Sequence, residues 1–235
     1  MDPLPKPFAV PVLSEAERSK QDRADDALFY AEPRFVQHLD GAFRSRLTAL
    51  YAERIPPDAV VLDLMASWVS HLPEQGRYRE VIGHGLNGRE LEANPRLDRH
   101  WVQNLNLDQR LPLESSSVDA ALIVAGWQYL QQPEAVAAEL LRVLRPGGLL
   151  IVAFSNRMFF QKAPRIWTDG SDRDRLALVA KVLMAQGWPL PQLIAEDTRA
   201  EGPLGWLGGH GDPFFAVIAT RPLDSDRRQG PIAHA

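Results

Sequence analysis

Short apolar segments alternate with amphipathic segments along most of this 235-residue chain, and the alternation limits the folds open to it. The apolar segments have the length of strands and lie at 59–65, 80–85, 101–105, 119–125, 149–154, 193–197 and 214–219. Apolar residues recur at helical spacing after Asn87, Pro133 and Asp172. This order predicts an α/β fold with a seven-stranded, mostly parallel sheet and helices on both faces. The last two strands have no full helix between them, so we expect the final strand to be antiparallel.

The strands divide the chain into three parts. Residues 1–57 precede the first strand and predict an N-terminal extension with two helices, one capped by Ser14 and one opened by Pro33. Residues 58–222 hold all seven strands and predict a single α/β domain. The tail at 223–235 is polar and unpatterned, and we expect it to be disordered.

Composition excludes several kinds of chemistry. The chain has no cysteine, which excludes disulfides, cysteine-ligated zinc, iron–sulfur clusters and a thiol nucleophile. Its histidines lack partners at metal-ligand spacing, so we predict no metal site.

Charge and hydropathy address partners and location. The formal charge of −4 gives no reason to expect nucleic acid or an anionic membrane as a partner. The longest apolar runs, at 120–126 and 148–154, are too short to cross a bilayer. The amino terminus lacks the basic and apolar regions of a signal peptide, and we expect a cytoplasmic protein. Oligomeric state is not indicated by any feature of the sequence.

One block of sequence around the fourth strand identifies a family. It comprises Leu-Pro-Leu at 111–113, Ser-Val-Asp at 117–119, Gln-Tyr-Leu at 128–130 and Glu-Leu-Leu-Arg-Val-Leu-Arg-Pro-Gly-Gly at 139–148. With these motifs at this spacing, residues 58–222 resemble the class I S-adenosylmethionine-dependent methyltransferases, in particular the type 11-like members. The resemblance implies a Rossmann-like fold, S-adenosylmethionine as cofactor and a small-molecule substrate. Within the block, we expect residues 145–148 to end a helix in a turn.

The resemblance implies a cofactor site in the loops after the strands, where an open parallel sheet binds its ligands. It assigns to the cofactor Asp63, Met65, Ala66, Ser67, Gly85, Asn87, Asn104, Leu105, Asn106, Ala125 and Gly126. Asp63 matches the family's acidic residue after the first strand.

The chain departs from the family pattern at three places. Met65, Ala66 and Ser67 replace the glycines of the first turn, Gly85 replaces the acidic residue that meets the ribose, and Asn104 replaces the acidic residue that meets adenine. Asn87 or Glu90 is able to substitute at the ribose. We expect the first turn to need no positive φ and the Trp68 ring to enter the sheet–helix interface. The Ser67 hydroxyl either caps the next turn at a helix start or bonds the amino-acid end of the cofactor.

The same loops supply candidates for the reaction and for the acceptor. His71 is either a general base or a structural, hydrogen-bonded histidine. Tyr129 and Trp127 follow the fourth strand and either face the substrate or pack. Asn156 and Arg157 either recognise an anionic substrate or belong to an exposed basic loop. Tyr30 lies on the N-terminal helices, which we expect to cover the site.

Two functions from different classes fit these residues. The first is methyl transfer from S-adenosylmethionine to a small molecule. The second is a non-catalytic binding or regulatory protein with an altered cofactor site, which the missing glycines and ribose carboxylate favour. A different nucleotide-binding enzyme on the same sheet is a third possibility. Binding of the cofactor discriminates between them.

Overall fold

The computed structural model describes residues 9–197 and 211–224, and within them the chain forms one seven-stranded sheet. The strands are β1 (Val60–Leu64), β2 (Glu80–Gly85), β3 (Arg99–Val102), β4 (Val118–Val124), β5 (Leu144–Phe154), β6 (Gln192–Glu196) and β7 (Phe214–Thr220), in the order β3-β2-β1-β4-β5-β7-β6. β7 runs antiparallel to both of its neighbours, and the β3-β2-β1-β4-β5 pairings are parallel. The seven-stranded sheet with an antiparallel last strand is confirmed.

In the described ranges, seven α-helices surround this sheet. They are α1 (Glu15–Arg18), α2 (Asp26–Phe29), α3 (Gly41–Arg54), α4 (Gly88–Glu92), α5 (Pro133–Val143), α6 (Arg165–Asp169) and α7 (Asp172–Ala185). Their bounds follow local sequence signals: Asn87 caps α4, Pro133 opens α5, and Ser171 forms a capping box at the start of α7. None of the helices in the described ranges is long and apolar enough to cross a membrane.

The sheet has a buried core on each face because successive strand residues point to opposite sides. One core joins α3 to the sheet through Phe43, Leu47, Leu50, Val61 and Leu122. The other joins α5 and α7 to the opposite face through Leu62, Leu140, Val143, Val152 and Val179. These side chains are at most 1% exposed, so both faces of the central strands are closed to water.

The N-terminal helices are shorter than the sequence predicts. The Ser14-capped helix is one turn long, and the helix expected from Pro33 begins only at Gly41. Asp40 sets this start, because its carboxylate accepts the N–H of Phe43. Most of residues 10–40 are thus irregular chain, which we call the N-terminal strap.

The Arg-Pro-Gly-Gly sequence at 145–148 is not a turn that precedes a strand, as expected, but part of β5 itself. Pairing with β4 shifts from Val118–Leu144 to Ala120–Leu149, which leaves a bulge between the two pairs. Gly147 supports the bulge at a φ of 79°.

No helix lies between β1 and β2, so Ser67 caps none and the expected sheet–helix interface for Trp68 does not exist there. The Trp68 indole N–H instead donates to the carbonyl oxygen of Val36 in the strap, at 3.2 Å. Side-chain hydrogen bonds fix the loop: Ser70 to Asp63 at 2.5 Å and Asn94 to the Ser67 carbonyl at 2.9 Å. These partners are distant in sequence, so local helix signals did not reveal them.

Candidate functional site

A cavity of about 610 Å³ lies at the carboxyl edge of the sheet, a volume in the range of small-molecule sites. Its walls are the residues that end or follow five strands: 65–67 for β1, 85–87 for β2, 103–106 for β3, 124–126 and 128–130 for β4, and 156–160 for β5. The strap contributes Asp26, Tyr30, Arg34, Gln37, His38 and Leu39. The parallel strands place this site, because all their carboxyl ends meet at one edge.

A buried ion pair holds the beginning of the strap against the domain. Glu134, at the start of α5, accepts the backbone N–H groups of Val12 and Leu13, both at 2.8 Å, and pairs with Arg18 at 2.7 Å. Arg18 and Glu134 are almost fully buried. Burying both charges is tolerated because each meets the other and further hydrogen bonds.

A second buried charge cluster holds the strap beside the cavity. The Lys162 ammonium lies 2.9 Å from Asp22 and 3.4 Å from Asp26, and donates to the carbonyl oxygen of Ala24. Asp26 also pairs with Lys20 at 2.8 Å and accepts from the Asn106 amide at 2.8 Å. The cluster links the strap to the loop after β3 and to the segment after β5.

The turn after β1 contains backbone strain that glycine would relieve, at the first of the three residues that replace the glycines of the family pattern. Met65 has a φ of 60°, whereas Ala66 and Ser67 do not have positive φ values. The expectation that this turn needs no positive φ is therefore wrong. Ala125, which follows the adjacent strand β4, also has a positive φ, of 49°.

Two glycines in neighbouring loops make room for this turn. A Cβ on Gly85 would lie 2.5 Å from the carbonyl oxygen of Ala66, and one on Gly126 would lie 2.8 Å from the Cβ of Met65. Because the backbone approaches so closely at residue 85, no acidic side chain fits there. The close packing of residue 85 against the first turn thus links two departures from the family pattern: the missing acidic residue at position 85 and the replaced glycines at 65–67.

His84 fixes the relative positions of three of these loops. Its Nδ1 accepts the Met65 N–H at 3.2 Å, which leaves Nε2 protonated to donate to the Gln103 carbonyl oxygen at 2.9 Å. Burial lowers the pKa of His84 to about 4, so the ring is neutral near pH 7. Both ring nitrogens are occupied, and His84 is a structural link within the cavity wall.

Glu90 is the carboxylate that reaches the cavity near the end of β2. One oxygen accepts the Ser67 hydroxyl and the other accepts the backbone N–H of Arg34, both at 2.6 Å. Asn87 caps α4 beneath it and donates its amide to the carbonyl oxygens of Tyr30 and Ala31. Glu90 thus ties the turn after β1 to the strap.

The structure brings most of the residues singled out in the sequence to this one cavity. These are Tyr30, Met65, Ala66, Ser67, Gly85, Asn87, Asn104, Leu105, Asn106, Ala125, Gly126, Tyr129, Asn156 and Arg157. It does not bring Trp127 there: the indole is 3% exposed and packs in the core on the α5 side of the sheet.

Asp63 and His71 line a separate cavity of about 90 Å³ on the α3 side of the first turn. Burial raises the pKa of Asp63 to about 6 and is the main cause that lowers the pKa of His71 to about 4. Asp63 is bonded to Ser70, and the His71 carbonyl oxygen accepts from Thr48. In this position Asp63 supports the turn rather than lining the large cavity.

The environment of Asp63 makes protein stability depend on pH. A pKa raised in the folded state means that ionising this carboxyl costs stability as pH rises through about 4 to 6. Asn keeps an acceptor for Ser70 and does not ionise. We therefore expect Asp63→Asn to raise the free energy of unfolding by about 2–3 kcal/mol at pH 8, and by much less at pH 4. Urea denaturation at the two pH values measures the difference, and an equal loss of stability at both would contradict it.

The two arginines at the cavity differ in their partners. Arg157 forms an ion pair with Asp212, whose other carboxylate oxygen accepts the Asp40 N–H. Arg34 lies over aromatic rings instead, its guanidinium carbon 4.5 Å from the ring centre of Phe29. The sequence predicts a substrate-binding role for Arg157 because this residue follows a strand. The position of Arg34 depends on the fold of the strap, for which the sequence carries no motif.

Comparisons with known proteins agree with this architecture. A family model described as a methyltransferase domain matches residues 58–152. A demethylmenaquinone methyltransferase from Parafrankia sp. (strain EAN1pec) is 29% identical over 132 residues, which are 50% of this chain and 51% of that protein. The chain therefore matches about half the length of this curated relative.

Solved structures share the fold at low sequence identity. A putative S-adenosylmethionine-dependent methyltransferase from Listeria monocytogenes superposes with a TM-score of 0.56 at 12% identity, covering 77% of this chain and 99% of the other. A possible histamine N-methyltransferase from Thermotoga maritima gives 0.53 at 17%, covering 77% and 90%. The [4+2]-cyclase SpnF gives 0.55 at 16%, covering 76% and 81%. Residues 58–152 thus match a methyltransferase-domain model, and the chain shares the fold of these solved structures.

Proposed function

We propose that the protein transfers the methyl group of S-adenosylmethionine to a small molecule held in the large cavity. The observation that carries the proposal is the convergence of loops from five strands, with the strap across them, on one cavity of about 610 Å³. The charge of −4 favours a small acceptor over a nucleic acid.

The residues present fit the cofactor. Gly85 and Gly126 leave no side chains where the loops approach one another. Each oxygen of Glu90 accepts one hydrogen bond and retains a lone pair, which suits the ribose hydroxyls. The side-chain oxygen Oδ1 of Asn104 accepts the Asn106 N–H at 3.0 Å and likewise retains a lone pair for the adenine amino group.

The bound cofactor supplies a sulfonium methyl group for attack by a nucleophile. The task of the chain is then to align the acceptor and to exclude water. Tyr129 suits alignment: burial raises its pKa, so its hydroxyl stays protonated, and it accepts the Phe159 N–H at 3.0 Å. A base is needed only where the nucleophile begins protonated.

His38 is the histidine best placed for such a base. Its ring lies 5.7 Å from the ring of Phe159, and burial, with Arg34 nearby, lowers its pKa, so it is neutral near pH 7. Among the described residues it has no hydrogen-bond partner for its ring, unlike His84. The sequence candidate His71 lies on the smaller cavity instead.

Calorimetric titration with S-adenosylmethionine and with S-adenosylhomocysteine tests this function. We expect saturable, one-to-one binding of both with Kd below about 100 μM, which corresponds to roughly −5.5 kcal/mol. No heat of binding at millimolar cofactor would contradict the proposal.

A non-catalytic role remains the second candidate, and the strained turn at Met65 favours it. Trp68 would block the site had its ring entered the large cavity, but it lies against Phe35 at 6.3 Å between ring centres and lines the smaller cavity. The two functions differ in turnover: methyl transfer produces S-adenosylhomocysteine in an acceptor-dependent way, whereas a binding protein holds the cofactor unchanged.

A further inference from the structure

Aromatic rings form the wall of the cavity beneath the strap and beside the ends of β4 and β5. Tyr30, Tyr129 and Phe159 line the cavity, and the rings of Tyr129 and Phe159 stack at an angle of 28° with their centres 6.1 Å apart. Phe29 does not line the cavity itself but meets Phe159 edge-on at 5.2 Å. Tyr30 meets Phe29 edge-on at 5.0 Å. Such a wall favours a flat, apolar ligand, because stacking and edge contacts both need an aromatic surface.

Arg34 is inserted among these rings. Its guanidinium carbon lies 4.5 Å from the ring centre of Phe29, 5.4 Å from that of Tyr30 and 5.6 Å from that of Phe159. Its Nη2 donates to the Phe29 carbonyl oxygen at 2.8 Å. Its Nη1 is shielded from solvent and has no hydrogen-bond partner. A buried cationic donor without an acceptor is unfavourable, and a ligand oxygen would relieve it.

The other charged groups at the cavity already have partners. Asp26 pairs with Lys20 and Lys162, and Arg157 pairs with Asp212. Within the described ranges, Arg34 is the arginine of the cavity wall whose guanidinium has no carboxylate within 4 Å. An anionic ligand would therefore be attracted to Arg34 rather than to Arg157.

A second polar atom in the same wall lacks a partner. The Gln128 side chain is 2% exposed, and its amide nitrogen donates to the carbonyl oxygen of Arg157. Its Oε1 is buried and has no hydrogen-bond partner. Gln128 precedes Tyr129, so the unsatisfied acceptor and the unsatisfied cation bound the same aromatic wall.

We propose that the acceptor molecule is an aromatic carboxylate bearing a hydroxyl or amino group, and that Arg34 binds its carboxylate. The assignment of this ligand as the methyl acceptor rests on the proposed methyltransferase function. The aromatic wall packs against the ring of the ligand, and the Arg34 guanidinium donates hydrogen bonds to its carboxylate. The side-chain oxygen Oε1 of Gln128 accepts a hydrogen bond from the hydroxyl or amino group of the ligand. Arg34 is thus a determinant of acceptor specificity.

Fluorescence titration with a matched pair of probes tests the site. The probes are 1-hydroxy-2-naphthoate, which is an anionic aromatic, and 1-hydroxy-2-naphthamide, its neutral analogue. We expect wild-type protein to bind the naphthoate at least about tenfold more tightly. Arg34→Gln should remove this preference, because it should lower the affinity for the naphthoate about tenfold and the affinity for the naphthamide less than about threefold. Arg165→Gln, a change at an exposed arginine, is the control and should alter neither.

Three results would overturn the proposal: equal binding of the two probes by wild-type protein, binding of neither, or an equal loss of both in Arg34→Gln. Arg34→Lys keeps a charge without the planar fork, and should retain part of the preference; it serves as the test variant where thermal unfolding shows that Arg34→Gln is misfolded. Each titration is run with and without S-adenosylhomocysteine. Arg34-dependent naphthoate binding without any binding of S-adenosylhomocysteine would contradict methyl transfer and leave the anion site standing.

Discussion

Replacing Lys162 with methionine is expected to lower the free energy of unfolding by about 3–5 kcal/mol, the cost of removing one partner of a buried ion pair. The Lys162 side chain is 1% exposed, and its ammonium neutralises Asp22 and Asp26. Methionine fills similar volume but leaves the buried Asp26 with Lys20 as its remaining cation. Urea denaturation near pH 7 measures the loss.

The matched control is Lys181→Met, which makes the same change at an exposed position on α7. We expect the free energy of unfolding of that variant to lie within about 0.5 kcal/mol of the wild-type value. If Lys162→Met lowers the free energy of unfolding as little as Lys181→Met does, the Lys162 cluster does not stabilise the strap.

The second large effect concerns the cofactor and Glu90. We expect Glu90→Ala to weaken the binding of S-adenosylhomocysteine by about 10- to 100-fold, because it removes the proposed acceptor for the ribose hydroxyls. The change also removes the hydrogen bonds that Glu90 accepts from the Ser67 hydroxyl and from the Arg34 N–H of the strap. Two lost charge-assisted hydrogen bonds of about 1.5 kcal/mol each account for the upper end. Calorimetric titration measures the affinity.

Glu92→Ala is the control for Glu90→Ala, since Glu92 lies on the same helix and is exposed. Its affinity for S-adenosylhomocysteine should match that of wild type. An unchanged affinity in Glu90→Ala would remove Glu90 from the cofactor site.

The sheet and the location of the site could be predicted from the sequence because their signals are local. Apolar runs of strand length predicted the bounds of β1 to β7 to within about three residues, except for the start of β5. Asn87 and Pro133 marked helix starts, and parallel strands place their following loops at one edge. That is why residues as distant in sequence as Gly85 and Asn156 could be expected to line one site.

What the sequence did not reveal depends on contacts between distant segments. The loop after β1 replaces a helix because Asp63, Asn94 and Thr48 hold it, and the positive φ at Met65 is tolerated because Gly126 makes room. Arg34 reaches the cavity through the irregular path of the strap. Periodicity reports only which face of an element is apolar, so it carries no information on these side chains.

Some expectations lie outside the described residues. The tail from 225 onward is in this group. Disorder of the tail, the cytoplasmic location and the absence of a metal therefore stay predictions.

A crystal structure of the protein with S-adenosylhomocysteine tests the central claim most directly, because the claim concerns where the cofactor lies. We expect adenine beside Asn104, ribose hydroxyls within hydrogen-bonding distance of Glu90, and the sulfur facing Gly126 and the aromatic wall. Ligand density in the smaller cavity beside Asp63 and His71, or none in the large cavity at saturating ligand, would contradict it.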